Sequence, residues 1–452
     1  MSRYTFIAVT IFVFFFAWAP PARALDNSKV EAQPRENILS LEGALDSALT
    51  NNTVIKEATQ RYLAAQEEKK SARADFLPKL SASYSYTNLQ DQPFSMFNGM
   101  KIPMSSEELY KWNLTAIQPL FTGFALITRY EMARYGVDLS KTYQTLAMMD
   151  VTKQVREAYF TALLAEKFFG VAEEAVRNLE SHARDAERFY KEGMIAYNDL
   201  LKSKVALANA VQNRDKAKAN ADMAVSSLNT VLRFDINRAT RLEDIHDVPE
   251  LSFDIATLLQ EATSNRPELQ ALRIALKNME SAVKLAQSAY YPSVFLVGNY
   301  ERTGDNPEAS NNEYTNDHNA SVTLQAQWQF FEWGKTRAEV SRYSHEKLAL
   351  MEKITAVEDG IRMEVKNAFL DTNVSKKNIA TARESLDQAQ ENYRLTNLQY
   401  QQQITTSTEV LDARTYLSQA QMNYYGALYG YMISTARLDR AVGKTPAHHA
   451  AK

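Results

Sequence analysis

Apolar residues step by three and four along Phe169, Ala172, Val176, Leu179, Ala183, Ala186 and Tyr190, and again along Ile379, Ala382, Leu386, Ala389, Tyr393, Thr396 and Tyr400. A third stripe runs Val410, Ala413, Leu417, Ala420, Tyr424, Ala427, Tyr431, Ser434 and Leu438. A three-four spacing kept up this long predicts coiled-coil seams, with alanines that let helices approach closely. The stripes lie in two proline-free stretches, Leu120 to Val248 and Glu308 to Thr445. Proline inside a helix costs about 3 kcal/mol, so its long exclusion agrees with long helices. From about 125 to about 192 only Gly136 and Gly170 weaken a helix, and at 1.5 Å per residue its length is on the order of 100 Å. The hairpin turns are expected near 193–198 and 403–408.

Elsewhere the period is two. In LSASYSYTNL (80–89), Leu80, Ala82, Tyr84 and Tyr86 alternate with Ser81, Ser83, Ser85 and Thr87. KWNLTAIQPLF (111–121), SVFLVGNYER (293–302) and ASVTLQAQWQFF (320–331) also read as strands. About ten residues is the length of a tilted strand that crosses a bilayer. Tyr110, Trp112, Phe121, Tyr300, Trp328 and Trp333 stand at strand ends, where an interfacial aromatic girdle would lie. The stretches between them, 90–109 and 303–319, carry Pro93, Pro103 and Pro307 and read as polar surface loops. Four strands cannot close a barrel, and lipid does not tolerate an open sheet edge. If the strands span a membrane, several chains must share one barrel.

The chain also repeats itself. Val155 matches Val365, Ala158 matches Ala368, Tyr190 matches Tyr400 and Leu228 matches Leu438, all at an offset of 210. Earlier in each copy the offset is 214, which sets Pro78 opposite Pro292. The expected layout is a leader at 1–24, a first repeat at 25–231 with a helical hairpin at about 125–230, a linker at 232–262, a second repeat at 263–440 with its hairpin at about 335–440, and a tail at 441–452. WQFFEWGKTR (328–337) is then a strand-to-helix junction, with Gly334 allowing the bend as Gly123 does in the first copy. Its GKT resembles the end of a phosphate-binding loop, but Gln329 stands where that loop needs glycine. Leu438 occupies the same place before Gly443-Lys444-Thr445, so neither is a nucleotide site.

Composition narrows the function. There is no cysteine, which excludes disulfides and thiol chemistry. His182, His246, His318, His345, His448 and His449 show no metal-ligand spacing. The start, MSRYTFIAVTIFVFFFAWAPPARA, reads as a secretory leader cleaved after Ala24. Cleavage removes two arginines and moves the net charge from −3 to about −5, which argues against nucleic acid as a partner. No later stretch is apolar enough for a helical membrane span. No nucleophile, metal or cofactor constellation points to an enzyme.

The two-fold repeat, the strand ends QPLFTG and FFEWGKTR, the helix opening SNRPELQALR (264–273), and the tips YKEGMIAYNDLLKSKVALANA (190–210) and YQQQITTSTEVLDARTYLSQA (400–420) together resemble the outer-membrane efflux protein family, the TolC-like channels. The resemblance implies a mainly α fold with membrane β: a homotrimer whose four strands per chain form one outer-membrane barrel, continued by a coiled-coil α-helical barrel across the periplasm. It places a small mixed region at about 232–262, 25–45 and 440–452. It assigns Glu409 and Asp412 to an acidic ring at the periplasmic aperture, Tyr400 to a constricting tyrosine and Asp199 to the matching acid of the first repeat. An arginine that links tip helices in some members is Thr405 here, and Gln403 stands where the second turn would have glycine, while Gly193 is kept in the first. The implied function is a passive exit duct of a tripartite efflux pump or a type I secretion system, with no cofactor or metal. Its partners would be outer-membrane lipid, an RND or ABC transporter in the inner membrane, and a periplasmic adaptor met by Gly193, Met194 and Ile404. The alternative is a soluble periplasmic coiled-coil scaffold, which would have no use for strands with lipid-facing aromatics.

Overall fold

The computed structural model describes residues 38–244 and 254–444. The expected leader, His246 and the tail from residue 445, with His448 and His449, lie outside the described residues. Each half opens with a short helix, α1 (Leu41–Asn51) or α5 (Ile255–Asn265), that leads into a longer one, α2 (Thr53–Ala74) or α6 (Pro267–Gln287). In the first half β1 (Lys79–Asn88), β2 (Phe94–Phe97), β3 (Met100–Pro103) and β4 (Glu108–Thr122) follow, and in the second β5 (Ser293–Gly304) and β6 (His318–Gln327). Each half ends in a helical hairpin, α3 (Ala125–Lys191) with α4 (Tyr197–Leu232), and α7 (Lys335–Gln401) with α8 (Ser407–Val442). The long arms have 67 residues each and the short arms 36 each, so the duplication holds to the residue.

The backbone repeats more faithfully than the side chains. Residues 123, 124, 193 and 233 all take left-handed φ, and so do their counterparts 333, 334, 403 and 443, each 210 further on. Every pair has one glycine: Gly123 faces Trp333, Phe124 faces Gly334, Gly193 faces Gln403 and Arg233 faces Gly443. A non-glycine residue there costs about 1–2 kcal/mol. The surrounding structure therefore dictates these bends, and glycine relieves each in one copy only.

The membrane candidates form one antiparallel sheet in the order β1-β4-β5-β6. Its register puts Leu80, Ala82 and Tyr84 of β1, Trp112, Leu114 and Ala116 of β4, Leu296, Gly298 and Tyr300 of β5, and Ala320, Val322 and Leu324 of β6 on one face. Ser81, Ser83, Asn113, Thr115, Asn299, Ser321, Thr323 and Gln325 lie on the other. The first face is mostly apolar, ending at Arg302 and His318, and the second is mostly polar, with Ile117, Phe295 and Val297 at its helix-side end. Among the described residues β1 and β6 each keep one free edge.

Two expectations need correction here. β6 stops at Gln327 rather than running to 331, because Gln327 pairs with Ser293 and the next residue on the partner strand is Pro292, which has no N–H to offer. The stretch 90–109 is not simply a polar loop. It holds the β2–β3 hairpin, turned on Asn98-Gly99 at φ 47° and 81°, the left-handed pair of a tight two-residue turn. Phe94, Met96, Phe97, Met100 and Ile102 are all exposed on it.

The main core lies along α3 well away from the hairpin turns, where α1 packs with α4 and α8. Val155, Tyr159, Phe160, Leu163, Leu228 and Tyr429 are buried there. Tyr159 lies with its hydroxyl 2.9 Å from the Leu39 carbonyl oxygen and 2.8 Å from that of Glu243. Burial, opposed by the hydrogen bond to Glu243, pushes its phenol up to about 12. A smaller core joins Leu258, Leu269, Val365 and Leu438 in the second half. One seam expectation also changes near the first tip. Phe189 is buried and Tyr190 is 40 % exposed, its ring in tilted contact with that of Tyr197. The helix closes at Lys191, and its last turn brings Phe189 inward.

Candidate functional site

The two hairpin turns are copies of each other. Gly193 N–H donates to the Tyr190 carbonyl at 2.9 Å and Met194 N–H to that of Phe189 at 2.8 Å. Gln403 N–H donates to Tyr400 and Ile404 N–H to Gln399, both at 2.9 Å. This paired closure satisfies the last helical carbonyls and requires a left-handed residue in the middle, which Gly193 adopts freely and Gln403 adopts at φ 60°. Thr406 then caps α8 by accepting from Glu409 N–H at 3.4 Å, whereas Ala196 gives α4 no side-chain cap. The turns also touch: Gln403 Nε2 donates to Met194 Sδ at 2.8 Å.

The residues singled out in the sequence occupy three settings. Glu409 and Asp412 are exposed on the first turns of α8, flanking the buried Val410 and Ala413. Asp199 is half-buried in the first turn of α4, 3.4 Å from Lys202 Nζ. Met194 and Ile404 project from the turns at 51 % and 70 % exposure. Tyr400 is set back. It is 2 % exposed, packed with Phe189 and Val410 between the two hairpins, and therefore lies behind the surface rather than on it. Gly123 and Gly334 sit at the opposite ends of the long arms. A Cβ on Gly123 would run into the Ser288 carbonyl oxygen, whereas the space beside Gly334 is open.

Sequence reasoning missed the group that surrounds Tyr400. His182 of α3 is 3 % exposed, and its ring lies 4.6 Å from that of Tyr400. Its Nε2 is 2.8 Å from Ser407 Oγ of α8, and Ser407 Oγ is 3.0 Å from Ser203 Oγ of α4. Ser203 donates to the Asp199 carbonyl at 3.0 Å. The Tyr400 hydroxyl lies beside Ser407 without a well-formed hydrogen bond. Burial, opposed by that contact, raises its phenol above the ordinary value. A histidine next to the apolar stripe Leu179, Ala183 and Ala186 was the available signal.

The outer membrane efflux protein family model matches residues 44–232 and 258–444. The chain belongs to the outer membrane efflux protein family. It is similar to the outer membrane protein TolC of Escherichia coli K12, 22 % identical over 413 residues that cover 87 % of this chain and 80 % of that one. It is also similar to the alkaline protease secretion protein AprF of Pseudomonas aeruginosa, 24 % identical over 416 residues, with 89 % and 85 % covered. The solved CmeC outer membrane channel of Campylobacter jejuni shares the fold, with a TM-score of 0.78 at 17 % identity over 89 % of this chain and 85 % of that one. As a member of this family the chain is an outer-membrane exit duct of the efflux and secretion type, and the family is one of channels rather than enzymes.

Proposed function

We propose that three copies share one β-barrel, that their hairpins continue it as a passive tunnel, and that the tunnel opens at the tips when an adaptor and an inner-membrane pump dock. The observation that carries this reading is the four-stranded sheet with one mostly apolar face, one mostly polar face and, among the described residues, two free edges. Lipid can cover the apolar face, but the edges need further strands. The helices agree. α3 is buried at intervals from Thr128 to Phe189, whereas α7 leaves Met363, Leu370 and Val374 exposed at spacings of seven and four. α4 exposes Leu201 and Val205 one turn apart. These exposed apolar residues on α4 and α7 suit side-by-side packing of copies.

Glu409 and Asp412 lie one turn apart on α8. Around a three-fold axis they would gather up to six negative charges, which attracts cations to a narrow aperture. Gly193, Met194 and Ile404 are at the far ends of both hairpins and would meet the periplasmic adaptor, which links them to an RND or ABC transporter. The cargo is a drug, a metal ion or a polypeptide. The soluble-scaffold reading leaves the apolar face of the sheet without a purpose.

The test uses the absence of cysteine. Single cysteines along β1, each combined with Ser321→Cys on β6, should give a covalent trimer from outer-membrane fractions on non-reducing gels. Monomer bands throughout the series would refute the shared barrel.

A further inference from the structure

We propose that His182 is the positioning residue of the closed tip: it heads a buried hydrogen-bond chain through Ser407 and Ser203 that fastens α8 to the first hairpin around Tyr400, and taking up a proton undoes the fastening. The inference rests on the reading of the tips as the aperture.

Counting protons gives the direction of the chain. Each serine hydroxyl has one hydrogen to donate. Ser203 gives its hydrogen to the Asp199 carbonyl, so towards Ser407 it can only accept. Ser407 therefore donates to Ser203, and towards His182 it can only accept. The imidazole must carry its proton on Nε2. Three donors in a row, on α3, α8 and α4, then point the same way and polarise one another. The other ring nitrogen, Nδ1, is buried with no hydrogen-bond partner, a bare lone pair in an apolar setting.

That orphan nitrogen makes the device responsive. A second proton would land on Nδ1, where nothing accepts it and a buried charge is costly. Burial, against the pull of Asp185, accordingly holds His182 down at about 4 from its ordinary 6.5. The charged groups around it are few. Asp185 lies on its own helix, paired with Arg188 at 3.2 Å. Asp199 stands at the start of α4 with Lys202, whose Nζ lies 3.4 Å from Asp199 and 3.4 Å from Thr408 Oγ1 of α8. The Tyr400 phenol lies on α7, and Glu409 of α8 is exposed. Once the hairpins part, water reaches the ring and its ordinary proton affinity returns. The released state therefore binds the proton more tightly. The fastening is complete above about pH 6.5 and is lost as pH falls towards about 4. At about pH 5 the released-to-fastened ratio should have risen roughly thirtyfold per chain.

The experiment compares the wild type, His182→Gln and His182→Ala as purified trimers, with two readouts at each pH. Hydrogen exchange at the starts of α4 and α8, taken relative to the intrinsic amide exchange rate at each pH and expressed as the opening equilibrium, reports loss of the fastening, and planar-bilayer conductance reports the aperture. The glutamine amide can still donate to Ser407 but takes up no proton. In the wild type both readouts should rise between about pH 6.5 and pH 4. In His182→Gln they should stay at the neutral-pH level, and in His182→Ala they should be high throughout. Exchange that follows the same pH course in the wild type and His182→Gln would overturn the proposal. Exchange that responds to His182 while conductance does not would uphold the fastening and overturn the aperture reading beneath it.

Discussion

The two halves hold the same junction with different chemistry. In the first, the Asn52 amide, 6 % exposed, donates to the Val231 carbonyl at 3.0 Å and caps α2 through Val54 N–H. In the second, Arg266, 5 % exposed, donates to the Ala441 carbonyl at 2.9 Å. Asn52 and Arg266 are 214 residues apart, and Val231 and Ala441 are 210 apart, as the repeat requires. A neutral amide needs no counter-charge. The buried guanidinium brings Glu268 at 2.9 Å and Glu364 at 2.9 Å, and Glu268 in turn holds Arg440, which reaches Asp150. The backbone contact survived duplication, while its electrostatics became titratable in one copy only.

The same comparison runs through the sheet and the bends, and it can be broken at each. Leu114 and Leu324 are repeat counterparts on the apolar face, and Thr115 and Gln325 are counterparts on the polar face. Leu114→Arg and Leu324→Arg should each cost about 2–4 kcal/mol per chain if that face meets lipid. Thr115→Arg and Gln325→Arg should cost little. The yield of heat-resistant oligomer measures the difference, and equal losses on both faces would deny the assignment. Next come the glycines. Gly334→Ala should cost about 1–2 kcal/mol for its left-handed φ alone. Gly123→Ala adds a collision with the Ser288 carbonyl, worth about another 1–3 kcal/mol. Thermal midpoints in detergent should rank the two, and the reverse order would show that the close approach at Gly123 is unimportant.

The smallest effect concerns acid. Burial works to raise the Glu268 carboxyl, but the hydrogen bond from Arg440 and the charges of Arg266 and Arg440 hold it below its ordinary value. Its contribution is therefore present above the ordinary value of 4.5 and lost as pH falls through the depressed one. Glu268→Gln should lower stability by about 1–2 kcal/mol near neutrality, a discounted figure because the carboxylate is partly exposed. The gap to the wild type should close in acid. Asn52 has nothing to titrate, so Asn52→Ala should keep a constant deficit across the same range.

Much of this was legible in the sequence because it follows from local rules. Proline exclusion and the three-four stripes announced α3, α4, α7 and α8, and alternation in 80–89 announced both faces of β1. What escaped depended on neighbours. The end of β6 is decided by Pro292 on the adjacent strand. The exposed β2–β3 hairpin had a local signal in Asn98-Gly99, which the flanking prolines obscured. His182 looked like an isolated residue because Ser203 and Ser407, which give it a role, arrive on two other helices. The left-handed bends were half visible, since each copy shows glycine at only some of them.

The most direct test of the duct is ion conduction through the purified trimer in a planar bilayer. With Glu409 and Asp412 lining the narrow end, wild-type currents should favour cations and be blocked by multivalent cations, and Glu409→Ala with Asp412→Ala should weaken both. Unchanged selectivity and block in the double variant would place the constriction elsewhere and contradict the account of the tip.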